Sequence, residues 1–345
     1  MGKTIEVAAD RSYDQTKTVL PAEMARGVYM RNAPSLQALK LMHLMIATAG
    51  GRMGDEVQHK LRLSDIRAID GMKNHDRTSL TPLFEELRAA VLTHDDPAAM
   101  VVRIGGLLDE ALVDYRHEVS GDLMVSWYFG RTFQRMARES NHWAILDRQT
   151  VFHLGSKYSV LLFQHIASLT GLDHVQRKIF TIADLRAVLG VPEGKLTRFA
   201  DLNRRALTPA VDEISQLSRL TLTATPNKIG RSVASVAIAW EQKKPDQKRE
   251  AKRELNRPKV GRKARRDGTA ETPLLAFPES GTIRDAQPWG QIARDNAPKL
   301  EGRHVPDLLK LANAFRKWCA AKAIRLDATS IEKTFATWCQ SYSAR

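Results

Sequence analysis

The chain has 345 residues, more than one domain of about 100 to 200 residues usually holds. Its 43% apolar and 27% charged composition excludes a largely disordered chain. Lys and Arg total 53 against 39 Asp and Glu, a formal charge of +14 that favours a polyanionic partner, nucleic acid before membrane.

The N-terminus, MGKTIEVAAD, lacks the apolar core of a signal peptide. The longest apolar run, Leu36 to Ala49, opens after Ser35 and is interrupted by Lys40 and His43. It predicts a buried helix and falls short of the roughly 20 residues that span a bilayer. Next come LRLSDIRAI at Leu61 to Ile69, the polar stretch Lys73, His75, Arg77, Thr78 and Ser79, and LTPLFEEL at Leu80 to Leu87. Strand-like sequence follows at His117 to Val119 and Leu123 to Phe129, around a Ser120, Gly121, Asp122 turn.

The same order then repeats. A Ser-led apolar helix at Ser156 to Leu169 precedes FTIADLRAV at Phe180 to Val188, in which Asp184, Arg186 and Ala187 echo Asp65, Arg67 and Ala68. LTPAVDEI at Leu207 to Ile214 echoes Leu80 to Leu87, and the strands Leu220 to Thr225 and Ser232 to Trp240 flank the turn Pro226 to Arg231. Echoes in one order, about 120 residues apart, predict two copies of one domain rather than a short-repeat solenoid. Three helices ending in a hairpin are the winged-helix arrangement. The expected fold is α+β: winged-helix domains at 19–146 and 147–241, each a helix-turn-helix with a β-hairpin wing. A βαβ reading fails for want of long parallel strands.

The second copy carries the richer candidate DNA surface. Between Lys195 and Ser218, Leu196, Phe199, Leu202, Ala206, Ala210, Ile214 and Leu217 share one helical face, which leaves Lys195, Arg198, Asn203, Arg204 and Arg205 for solvent or DNA. Arg can pair with guanine and Asn with adenine in bidentate geometry; the plain alternative is solvated surface charge. Pro209 would break a continuous helix, so Thr208 is expected to cap a second segment with Pro209 at its first position. Lys228 and Arg231 at the hairpin tip are placed to meet phosphate or the minor groove. In the first copy the corresponding candidates are Lys73, Arg77 and Ser79, fewer and less basic.

Beyond the repeats, Gln242 to Gly268 holds 12 Lys or Arg and 4 Asp or Glu with two large apolar residues, Leu255 and Val260. That pattern predicts a mobile basic linker, either a phosphate attractant or a solvated spacer. Pro273, Pro278, Pro288 and Pro298 extend it, so the linker is expected over 242–298. In the final module, 299–345, Phe315, Trp318 and Cys319 recur twenty residues later as Phe335, Trp338 and Cys339. Two helices, Val305 to Ala323 and Ser330 to Tyr342, are expected to pair as a hairpin. Its Phe315, Trp318, Phe335 and Trp338 either form the core or offer a docking surface for a partner.

Catalytic patterns are missing. No His-x-His pair, HExxH or CxxC occurs, and Gly190 to Thr197 (GVPEGKLT) lacks P-loop spacing. No enzyme, metal or cofactor is therefore expected. Cys319 and Cys339, the only cysteines in the sequence, make no disulfide framework and suit a reducing, cytoplasmic setting.

SKYSVLL (Ser156 to Leu162), FTIADLRAVLGV (Phe180 to Val191), RFADLNRRALTPAVDEI (Arg198 to Ile214) and the hairpin ending at Trp240 resemble the second domain of the iteron-binding plasmid replication initiators, proteins of two winged-helix domains. SWYFGRTFQRMA, within Leu123 to Leu146, resembles that family's interdomain junction. The resemblance ends at Glu241. It implies monomer binding to direct repeats in double-stranded origin DNA, help in opening adjacent AT-rich DNA, and recruitment of the host initiator ATPase and replicative helicase. It also implies monomer-dimer self-association, with a dimer that represses its own promoter. A non-replicative transcriptional or partition regulator on the same fold is the alternative.

Overall fold

The computed structural model describes residues 2–11, 14, 16–26, 30–31, 33–69, 72–96, 100–116, 123–172, 174–268, 276–297, 307–322, 324–328 and 331–342. They fall into two compact units, Met1–Arg257 and Pro258–Arg345. Among the described residues no helix is long and apolar enough to cross a membrane.

The first unit opens with α1 (Lys3–Asp10), anchored by Gly2 and Thr4 amides on the Arg138 and Ser140 carbonyls and by buried Ile5 and Ala8. Strand β1 (Lys17–Pro21), α2 (Ala22–Ala25), β2 (Met30–Arg31) and α3 (Leu36–Ala49) follow. Ser35 caps α3 by accepting from the Ala38 amide at 3.3 Å. The first winged helix continues through β3 (His59–Arg62), α4 (Leu63–Arg67) and α5 (Arg77–Ala89), then β4 (Val91–Asp96), β5 (Val101–Gly106), β6 (Leu108–Asp114) and β7 (Met124–Phe129). The expected hairpin is corrected here. β7 pairs with β6, Asp114 facing Met124, because Leu108–Asp114 supplies a longer strand than sequence alternation revealed. His117 to Asp122 lie outside the described residues. The β4–β5 hairpin, which joins β2 in the order β2–β4–β5, is an insertion that the duplication did not announce.

Helix α6 (Arg131–Glu139), β8 (Trp143–Asp147) and α7 (Arg148–His153) lead to the second copy. This comprises α8 (Lys157–Leu169), β9 (Arg177–Thr181), α9 (Ile182–Val188), α10 (Phe199–Leu202), α11 (Thr208–Leu217), β10 (Leu220–Ile229) and β11 (Ser232–Gln242). Sheet orders β3–β7–β6 and β9–β11–β10 are the same topology twice, both antiparallel. The copies share one core, and β1 and β8, from opposite ends of the first copy, pair as a separate ribbon.

Where the copies meet, their first helices place equivalent residues face to face. Ser35 and Ser156 cap equivalent helices, so His43 and Gln164 are counterparts, and the two side chains adjoin in the core. Burial pushes the His43 imidazole down to about 4, partly offset by the Gln164 amide. Lys40, also buried, spends its ammonium on the Phe152 carbonyl.

Two expectations about the remainder are corrected. Residues Pro245–Asn256 form α12, packed on α7 and α11, rather than mobile linker. Ala251, Glu254 and Leu255 bury one narrow face, while i,i+3 pairs such as Arg253 with Glu250 and Arg257 with Glu254 stitch the charged surface. A stripe of two apolar residues suffices because the core already exists beneath it.

The second unit contains α13 (Arg262–Arg266), α14 (Trp289–Asn296), α15 (Leu308–Ala321) and α16 (Ile331–Ser341). Its core reaches back into the segment expected as linker. Phe277 is fully buried, its ring centroid 4.8 Å from both Phe315 and Phe335, with Trp289 5.7 Å from Phe335. Two helices alone leave those rings exposed on one side; Phe277, Ile283 and Trp289 close it. Residues 269–275 and 298–306 lie outside the described residues.

Candidate nucleic-acid interface

The repeated Asp and Arg have the same jobs in both copies. Asp65 Oδ2 accepts from the Arg62 amide at 3.3 Å, and Asp184 exchanges hydrogen bonds with Thr181 at 2.8 and 3.1 Å, so each closes the first turn of its helix. Arg67 Nε donates to the His75 carbonyl at 2.9 Å, just before α5. Arg186 donates to the carbonyls of Leu196 and Lys195 at 2.6 and 2.5 Å, just before α10. Each arginine thus clamps the loop that aims the following helix. In the second copy that loop includes Leu196 at φ +49°, a conformation costly for a side chain with a Cβ and held by the clamp. The echo of these residues was visible in sequence; their role as loop clamps was not.

The aimed helix is continuous from Phe199 to Leu217. Between α10 and α11, Asn203–Leu207 form one wider, π-helical turn, and Leu207 and Thr208 are both helical (φ −69°, ψ −58° and φ −57°, ψ −49°). Thr208 is therefore not a cap; its hydroxyl donates to Asn203 Oδ1 at 3.2 Å. A proline lacks an N–H and its ring strikes the carbonyl four residues back. The wider turn directly before Pro209 makes room for it. As expected, Leu202, Ala206, Ala210, Ile214 and Leu217 are buried, with Leu196 and Phe199 packed partly against them.

On the opposite face Arg204 and Arg205 are 71% and 64% exposed. Both lean on Asp201, at 3.0 and 4.0 Å, which orders the two guanidinium groups at little energetic gain. Lys195 and Arg198 are exposed in the clamped loop, Arg198 being the residue before α10. Asn203 is half-buried and partly committed to Thr208. Lys228 and Arg231 are exposed at the tip of the β10–β11 hairpin.

In the first copy, Lys73 is exposed, whereas Arg77 stacks over the Tyr115 ring at 4.3 Å. Ser79 is taken up by the cap of α5. Its hydroxyl donates to Asp76 Oδ1 at 2.7 Å and receives the Asp76 amide at 2.9 Å; the Ser79 hydroxyl, the Ser79 amide and the Thr78 hydroxyl, all donating to Asp76 Oδ1, hold that carboxyl down to about 2. The two copies therefore differ: one offers a cationic face, the other a largely self-satisfied one. In the second unit Phe315 and Phe335 are core residues with no exposed surface, while Trp318 and Trp338 are half-buried beside each other, centroids 6.4 Å apart.

Two winged helices on a common core, each with a clamped and aimed third helix, define a double winged-helix protein. Residues 26–167 match the model described as Initiator Replication protein, WH1, and residues 181–240 that described as Initiator Rep protein, WH2. The chain belongs to the initiator Rep family. The Pi initiator protein, solved in complex with iteron DNA, shares this fold with a TM-score of 0.50 at 16% identity over 67% of this chain and 98% of that one. A structure of domains 2 and 3 of RctB aligns with a TM-score of 0.37 at 10% identity, over 60% of this chain and 81% of that one. No curated protein matches the sequence. Residues from Glu241 onward lie outside both family models.

Proposed function

We propose that this protein initiates replication of a plasmid by binding repeated origin sequences in double-stranded DNA. The observation that carries the reading is the exposed, Asp201-ordered pair Arg204 and Arg205 on a helix aimed by the Arg186 clamp. Cations held there can read guanine edges, while Lys195, Arg198, Lys228 and Arg231 meet phosphates on either side. The first winged helix supplies phosphate contacts through Lys73. Two winged helices in one chain suffice for one repeat, so one protomer occupies each repeat.

A dimer that represses the protein's own promoter fits the β5 edge. β5 ends its sheet, and Met100, Val102 and Ile104 are 90%, 59% and 67% exposed, as suits pairing with a second copy. Recruitment of a host initiator ATPase and helicase completes the scheme, with Trp318 and Trp338 as one contact. The protein itself neither nicks DNA nor hydrolyses ATP. The test is the mass of the complex on a single-repeat duplex, joined to replication of a plasmid lacking other initiators. One protomer per repeat with plasmid maintenance supports the reading. A dimer on every site, with no maintenance, assigns the protein to non-replicative regulation.

A further inference from the structure

The second wing ends in an apolar side chain that packs against nothing in the core. Ile229 is 77% exposed; among the described residues of the second copy, Ile179 is the other exposed large apolar side chain, and it lies on β9 within the sheet. Isolated exposed apolar residues are ordinary on a protein surface. The position of Ile229 is what distinguishes it.

β9 pairs with Ser235 to Ala239, so the hairpin beyond Asn227 and Ser235 is a free two-stranded ribbon. Lys228, Ile229 and the turn carry it about 10 Å past the third strand at ~3.3 Å per residue. That projection exceeds the minor-groove depth of about 7.5 Å. The ribbon is also stiff. Ile229 faces Ser232 across a two-residue turn in which Gly230 has φ +61°, the left-handed first position that a II′ turn requires. A register shift after Asn227 leaves Ala234 as the extra residue, and Asn227 Nδ2 donates to Ser235 Oγ at 3.2 Å across its neck. A bulge of this kind re-aims the side chains beyond it. Lys228 and Arg231 flank Ile229 with the charge needed to hold a groove edge.

We propose that Ile229 is an apolar wedge, inserted by the second wing between two base steps in the minor groove. It partly unstacks them and so contributes to opening the DNA. The proposal rests on the DNA-binding reading above. Branched and linear apolar side chains in the minor groove kink duplexes this way, most readily at flexible pyrimidine–purine steps such as TA and CA/TG.

The test uses the full-length protein and a duplex that it enriches from a random library, with 2-aminopurine placed in turn at each step under the wing. One step in the saturated wild-type complex should brighten several-fold. Ile229→Ser, on an exposed residue that leaves the core untouched, should return that step to the free-duplex level in the saturated complex. Arg231→Ala should weaken binding about fivefold to tenfold, yet keep the bright step at saturation. No bright step in the wild-type complex, or an equally bright one with Ile229→Ser, overturns the wedge alone. Failure to enrich any sequence overturns the DNA-binding reading and the wedge together.

Discussion

Replacing Arg186 with Ala removes its short charge-assisted hydrogen bonds to the Leu196 and Lys195 carbonyls, at 2.6 and 2.5 Å, along with a long one to the Pro192 carbonyl at 3.5 Å that adds little. Bonds to a charged group contribute about 1.5 to 3 kcal/mol each, and the half-exposed setting argues for the low end, about 3 kcal/mol together. Releasing the loop also lets Leu196 leave φ +49°, recovering about 1 kcal/mol of strain. A net loss of about 2 kcal/mol is a fraction of the roughly 5 to 15 kcal/mol of a typical domain, so the protein stays folded. The effect falls on aim. If the freed loop occupies the binding-competent conformation a tenth of the time, DNA affinity drops about tenfold. Arg186→Lys should restore little, because a single compact ammonium lacks the rigid planar span by which the two terminal guanidinium nitrogens each reach a different carbonyl. Hydrogen exchange at residues 193–198, denaturant midpoints and DNA titration measure the three quantities. An Arg186→Ala protein within about 0.5 kcal/mol of wild type, with unchanged exchange in that loop, would refute the clamp.

Arg204→Ala and Arg205→Ala should each cost about 1 to 3 kcal/mol on the selected site and less on random duplex; equal losses on both would make them phosphate contacts. Acid should destabilise the first unit through His43, buried and lowered from 6.5 to about 4. The unfolded chain binds a proton there that the folded chain refuses, so stability is full above pH 6.5 and falls as the pH drops toward 4, by about 2 kcal/mol at pH 5. His165, likewise lowered to about 4 chiefly by burial, adds in the same direction. Urea midpoints at pH 7 and pH 5 check this, and His43→Gln should remove its share; midpoints equal at the two pH values would sink the argument. Finally, Lys248→Gln with Lys252→Gln, both exposed on α12, should lower the slope of log affinity against log salt by up to about 2 while the footprint stays in place. A lost footprint would make α12 part of the specific reader.

Local pattern carries much of this protein. The echo of Asp65, Arg67 and Ala68 in Asp184, Arg186 and Ala187, together with the recurring Leu-Thr-Pro, was enough to find the duplication. The 3.6-residue spacing from Leu202 to Leu217 was enough to separate a buried face from an arginine face. These are legible because capping, periodicity and turn chemistry act over a few residues. What Arg67 and Arg186 clamp, why Pro209 sits inside a helix, and why Ser79 and Arg77 are occupied depend on atoms brought together by folding. So do the packing of α12 through Ala251 and Leu255 and the closure of the Phe315 and Phe335 cage by Phe277 and Trp289. A charge run or a scatter of prolines looks like linker when its few apolar residues are counted alone. Against an existing core those same residues bury enough surface to order the segment, and only the tertiary structure decides whether that core lies within reach.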